Sequence, residues 1–136
     1  MAYTYYCSMN LYFLIYRGTP TVNLSDEEIE ALLVKARREN QAHEVTGMLL
    51  CFPKMYIQLI EGPEEKIRQL YKNIQNDKRH NNVHILKEGY EEKRFFPKWA
   101  MGFDKQNKLI IDDEGSFDIT ESQAISLFEI LNDRFK

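Results

Sequence analysis

Met55-Tyr56-Ile57-Gln58-Leu59-Ile60-Glu61-Gly62-Pro63 places an amide in the middle of a run with the length and composition of a buried strand. The same stretch closes on Glu-Gly-Pro, which ends a strand and opens a helix. An amide left unpaired in such a setting costs roughly 2 to 7 kcal/mol, so Gln58 needs a partner. Two other polar side chains raise the same demand. Tyr16 closes the apolar run that begins at Leu11, and Asn40 continues the apolar stripe of a helix. Polar groups directed inward from separate elements imply a polar object between them.

Working outward, Pro53-Lys54 is the turn from a strand over Val45–Phe52 into the strand Met55–Ile60, and the pair forms a hairpin. Gly62 and Pro63 serve as cap and first helical residue, and Glu64 and Glu65 suit the positive end of the dipole. Ile67, Leu70, Tyr71 and Ile74 then recur at helical spacing up to an end near Asp77. Toward the start of the chain, Leu11–Tyr16 alternates Tyr12, Leu14 and Tyr16 with Leu11, Phe13 and Ile15, so both faces are apolar and the strand is central. Arg17-Gly18-Thr19-Pro20 breaks that pattern. Ser25 and Glu28 form a capping box, stapled by Leu24 against Ile29, and Ile29, Leu32, Leu33, Ala36 and Asn40 make one helical stripe. Val83–Leu86 and Phe95–Phe103 read as two further strands, the second with Trp99, Met101 and Phe103 on one face. The fold class is therefore α+β: a ferredoxin-like βαββαββ sheet with two helices on one face. Residues 1–104 make this domain. Residues 105–136 form a linker and a capping helix of the same unit, begun by Thr120 and Gln123 and packed through Ala124, Leu127, Phe128 and Leu131.

The bulk properties narrow the function. A chain of 136 residues buries one core, and its net charge of −3 argues against binding a nucleic-acid backbone, which calls for a basic face. The two cysteines, Cys7 and Cys51, and the lack of a signal-like or membrane-length apolar segment give the expectation of a cytoplasmic, membrane-free protein. His43, His80 and His84 have no zinc-like spacing, so no metal is expected.

Several segments together resemble the BLUF family of flavin-using blue-light sensors. They are Leu14-Ile15-Tyr16, Asn40 with Val45-Thr46-Gly47, Ile57 to Gly62, Asp77-Lys78-Arg79-His80 and Trp99-Ala100-Met101, in the family's order across Leu11 to Phe103. The resemblance implies a flavin ring between the two helices. Asn40 would bond its pyrimidine edge, Gln58 would bridge it to Tyr16, and Asp77, Arg79 and His80 would lie near the ribityl chain and ring edge. It implies light-driven electron and proton transfer from Tyr16 to the flavin, a rearranged Gln58 hydrogen-bond pattern, and a relay through Trp99 and Met101 to the last strand. The expected flavin is FAD, with FMN or riboflavin served equally by the ring-contacting residues. The expected output is a changed contact with a signalling protein, in a homo-oligomer and without an output enzyme.

The chain departs from the family pattern at three positions. Gly18 stands where the family commonly has a serine, Glu39 where many members carry asparagine or histidine, and Lys54 in place of a frequent turn glycine. Taken singly, the residues also have plainer readings: Tyr16 as a strand tyrosine, Asn40 as a helix cap, Gln58 as a paired core amide, Trp99 and Met101 as core filler. The competing reading of the whole chain is a small flavin-free ferredoxin-like enzyme or regulatory fold, such as an acylphosphatase-like hydrolase. Arg17-Gly18 is only a faint echo of the anion-cradling loop it needs.

Overall fold

The computed structural model describes residues 11–21, 25–51, 55–97 and 101–105. Their order is β1 (Leu11–Pro20), α1 (Asp26–Ala42), β2 (Thr46–Cys51), β3 (Tyr56–Pro63), α2 (Glu64–Gln75), β4 (His80–Tyr90) and β5 (Gly102–Lys105), the βαββαββ succession expected. The strands form one sheet in the order β4-β1-β3-β2-β5. β1 runs antiparallel to both β3 and β4, β2 and β3 form the antiparallel hairpin, and β5 adds in parallel to β2.

The period of two along a strand assigns every side chain to a face. On one face Tyr12, Leu14, Tyr16 and Ile60 meet Leu33 of α1 and Ile67 and Tyr71 of α2, so both helices cover the same side. On the other face Ile15, Met48, Leu50, Ile57 and Leu59 are buried as well. The hairpin is held close by Gly47, where a Cβ would stand 2.1 Å from the Leu59 carbonyl oxygen. The α1 start follows the capping-box reading: Ser25 Oγ accepts from Glu28 N and Glu28 Oε1 from Ser25 N, each at 3.1 Å.

Several boundaries differ from the sequence reading, each for a physical reason. β1 continues through Arg17-Gly18-Thr19-Pro20, because register shifts against β4 at Ile15/Tyr16 and Arg17/Thr19 absorb the irregular residues. β4 extends well beyond Val83–Leu86 in both directions, since an edge strand with exposed residues needs no apolar alternation. Pro63 is the N-cap of α2 rather than its first helical residue. Residues 95–97, expected in the last strand, are irregular, and β5 begins only at Gly102. The cause is Glu61, wholly buried on the face away from the helices. Its carboxylate accepts from Phe95 N at 2.7 Å, Phe96 N at 2.8 Å and Thr46 Oγ1 at 3.0 Å, which takes up amides that a strand ladder would use. Leu24, Pro53, Lys54, Trp99, the residues before Leu11 and the expected closing helix lie outside the described residues.

Beside Glu61 sits Glu91, whose carboxyl is pushed up to about 9 by burial first and then by its interaction with Glu61, with Arg94 opposing. A carboxyl raised in the folded chain binds more protons folded than unfolded. Its stabilising contribution is thus complete below the ordinary value of 4.5 and is lost as the pH climbs toward about 9. Glu91→Gln should therefore flatten the decline of the thermal midpoint across that window. An equal slope in wild type and variant would contradict this assignment.

Candidate functional site

Tyr16 and Gln58 face each other directly across β1 and β3, and Leu49 of β2 pairs with Gln58 from the other side. All three belong to the helix-covered face. The register shift between Ile15 and Tyr16 falls beside the tyrosine, where such an irregularity re-aims a side chain. The Tyr16 hydroxyl donates to Gln58 Oε1. The other end of the amide, Gln58 Nε2, contacts Met101 Sδ at 3.1 Å. The amide that seemed costly in sequence thus has a strong neighbour at its oxygen and a weak sulfur acceptor at its nitrogen.

Gln58 is half-buried, whereas the Tyr16 side of the pair is aromatic and dry. Tyr16 is 2 % exposed, with the Tyr56 and Tyr71 rings edge-on at centroid distances of 5.9 and 5.6 Å. Burial drives the Tyr16 phenol well above its ordinary value, followed by charge interactions with Tyr56, Tyr71 and Asp77. At neutral pH it is a phenol that keeps its proton. Tyr56 is raised too, by burial first and then chiefly by Asp77.

Asn40 occupies the last turn of α1 and is 5 % exposed, so the sequence stripe does bring a polar amide inward. Its backbone carbonyl accepts from His43 N at 3.1 Å and Val45 N at 2.8 Å. The helix C-cap itself is His43, which separates Asn40 from the plain capping role. Of the outlying candidates, Arg79 turns back on its neighbour: its Nε donates to both Asp77 carboxylate oxygens at 3.0 Å, with backbone Arg79 N also on Asp77 Oδ1. That pair anchors the α2–β4 turn, while Asp77 remains close enough to act on Tyr16 and Tyr56. Glu39 is exposed on α1.

Three participants escaped the sequence reading. Arg37 Nε donates to the Met101 carbonyl at 2.9 Å and ties α1 to the segment that carries the Gln58 contact. Tyr71 was visible only as a core position, although its spacing on the α2 stripe was a usable signal. Tyr56 lies two residues before Gln58 and hence on the same face, which the period of two could have disclosed. Its phenol fills the space above Gly18, where a Cβ would stand 2.4 Å from Tyr56 Oη and 2.6 Å from Cζ. Among the described residues no group of histidine, cysteine and carboxylate side chains could hold a metal ion.

A family model described as sensors of blue light using FAD matches residues 11–102. Among curated proteins, the chain is 38 % identical over 88 residues to the blue light- and temperature-regulated antirepressor BluF of Escherichia coli, which covers 65 % of this chain and 22 % of that protein. It is 29 % identical over 89 residues to the photoactivated adenylate cyclase subunit beta of Euglena gracilis, covering 65 % of the chain and 10 % of the relative. The chain thus spans less than a quarter of the length of these relatives. Among solved structures, the dark-state structure of the BLUF protein BlrB aligns with a TM-score of 0.68 at 26 % identity, over 72 % of this chain and 74 % of that one. A bacterial light-regulated adenylyl cyclase aligns with the same TM-score of 0.68 at 31 % identity, over 92 % of this chain and 34 % of its own.

Proposed function

The chain belongs to the family of sensors of blue light using FAD, and from that premise we propose that it is a flavin-binding blue-light photoreceptor in which Tyr16 and Gln58 form the switch. The observation that carries the reading is the hydrogen bond from a fully protonated, buried Tyr16 phenol to Gln58 Oε1 on the helix-covered face. The residues present fit a flavin. Asn40 and Gln58 are planar amides, each with a donor and an acceptor, as the pyrimidine edge of the ring requires. Leu33, Ile67 and Tyr71 supply apolar and aromatic surface from both helices for a flat ring. Asn40 would hold the pyrimidine edge and Gln58 the side nearest Tyr16, with Asp77, Arg79 and His80 toward the ribityl end. FAD, the flavin in the family's description, is the form we propose.

A bound flavin would supply absorption of blue light and, once excited, an acceptor for an electron and a proton, for which Tyr16 would be the donor. Its burial keeps the proton on the phenol oxygen until that moment, and its bond to Gln58 Oε1 fixes where the proton points. Gln58 can then exchange the roles of its ends, by rotation or by tautomerisation, without creating net charge in a low-dielectric site. The exchange is cheap at one end because the nitrogen gives up only a contact to sulfur. Met101 feels it directly, and through its carbonyl Arg37 connects Met101 to α1. Trp99, two residues away in sequence, is the second member of the relay we propose toward β5. The output is an altered contact with a signalling protein, from a homo-oligomer in the cytoplasm, rather than an enzymatic reaction of residues 1–136. The curated BluF relative, named as an antirepressor, supports output of that kind.

The test is spectroscopic. The 136-residue protein loaded with FAD should stay yellow through gel filtration, and its visible flavin bands should move to longer wavelength under blue light and return in darkness. Protein that remains colourless after loading, or whose bands do not move, would refute the reading. Acyl-phosphate hydrolysis by the colourless protein would favour the enzyme alternative instead.

A further inference from the structure

Met101 owes its place beside Gln58 to more than their mutual contact. A thioether is a weak acceptor on a side chain with several rotatable bonds, so the 3.1 Å approach of Gln58 Nε2 to Met101 Sδ does little to hold the methionine still. The ladder of β5 on β2 starts one residue later, at the pair Met48 and Gly102. A second grip on Met101 comes from Arg37, whose Nε donates to the Met101 carbonyl at 2.9 Å. A charged donor on a carbonyl makes a stronger bond than an amide on sulfur. Arg37 also stands three residues before Asn40 on α1, so the two project from one side of the helix. One stretch of α1 thereby holds the partner of the Gln58 nitrogen and carries the amide assigned to the flavin.

We propose that Arg37 is a positioning residue for the Gln58 switch: its bond to the Met101 carbonyl keeps the thioether at the place to which the Gln58 nitrogen returns, and so sets how fast the lit arrangement relaxes in darkness. This rests on the reading of Gln58 as the light-driven amide. Exchange of the amide ends gives up the contact to sulfur and leaves the Arg37 bond in place. The sulfur acceptor therefore waits where it was, and the return needs no renewed ordering of a flexible side chain. Because Arg37 grips the methionine backbone, it does not compete with Gln58 for the sulfur.

Two substitutions separate the bond from the charge, and both new residues suit a helix. Arg37→Leu removes the donor. Arg37→Gln restores one, because its Nε2 is as many bonds from Cα as Arg37 Nε, but it lacks the charge that pairs with Glu30 at 3.8 Å. Two readings are taken on the 136-residue chain with FAD bound. In darkness, NMR of methionine methyls labelled with carbon-13 reports Met101, its signal identified by its loss in Met101→Leu. That signal should move in Arg37→Leu and lie near its wild-type position in Arg37→Gln. After blue light, the return of the red-shifted bands should slow about fivefold in Arg37→Leu, the scale of ordering one flexible side chain, and stay within about twofold of wild type in Arg37→Gln. A Met101 signal that stays put in Arg37→Leu, a return in that variant within twofold of wild type or faster, or equal changes in the two variants overturns the role of Arg37 while leaving the photoreceptor reading intact. Wild type gives a further check that needs no variant to fold: the Arg37 Nε–H, followed by nitrogen-15 NMR, should exchange with solvent more slowly than free arginine, and exchange at the free rate overturns the bond. Absence of any red shift in the FAD-loaded wild type overturns both the role of Arg37 and the reading it rests on.

Discussion

Tyr16→Phe is expected to abolish the reversible red shift of the FAD-loaded protein while leaving the fold and the flavin in place. The ring contacts of Tyr16 with Tyr56 and Tyr71 are contacts of carbon edges that phenylalanine reproduces. What disappears is the hydroxyl that donates to Gln58 Oε1, together with the one electron and proton source in direct contact with that amide among the described residues. The stability cost is that of a half-buried acceptor left without its donor, at most about 1 to 3 kcal/mol, which lowers the thermal midpoint by a few degrees. The loss of photoresponse is out of proportion to that cost, and this separates a photochemical role from a structural one. Absorption spectra before and after blue light, with a thermal scan of the same sample, measure both. A normal shift in Tyr16→Phe would remove Tyr16 from the mechanism.

Gln58→Leu should be equally damaging to the response and milder to the fold. Leucine is close in size and suits a site whose neighbours include Leu49 and Ile60, so its own burial is favourable. It leaves the Tyr16 hydroxyl without its acceptor, a penalty of about 1 to 3 kcal/mol that the removal of a half-buried amide partly offsets. Flavin binding should persist through Asn40 and the helix faces. With no group able to interchange donor and acceptor, the bands should stay at one position in light and darkness. Retention of the wild-type shift in this variant would show that the switch lies elsewhere.

Most of what places this site could be read from the chain. Gln58 drew attention through its cost, and the family resemblance made Tyr16 its neighbour; the two residues pair directly across β1 and β3. The capping box at Ser25 and Glu28 set the phase of α1, which carried Asn40 inward. The failures have one common source, long-range contacts that no local pattern encodes. Phe95 and Phe96 look like strand residues, but the distant Glu61 carboxylate claims their amides. The ion pair between Asp77 and Arg79 in the α2–β4 turn was likewise not legible in the sequence. β4 was under-read because an exposed edge strand shows no apolar rhythm. Gly18 is legible as a departure from the family pattern, but only the opposite strand shows that the Tyr56 phenol takes the space beside it.

The central claim is that light rearranges the Gln58 amide between Tyr16 and the flavin, and infrared difference spectroscopy addresses it directly. FAD-loaded protein with carbon-13 in the glutamine side-chain carbonyls would be compared with unlabelled protein, light minus dark, and Gln58→Leu would identify the contribution of Gln58. The account predicts a label-sensitive carbonyl band that moves on illumination, returns in darkness with the same time course as the flavin bands, and is missing from the variant. Flavin bands that shift and recover with no label-sensitive carbonyl change would contradict it.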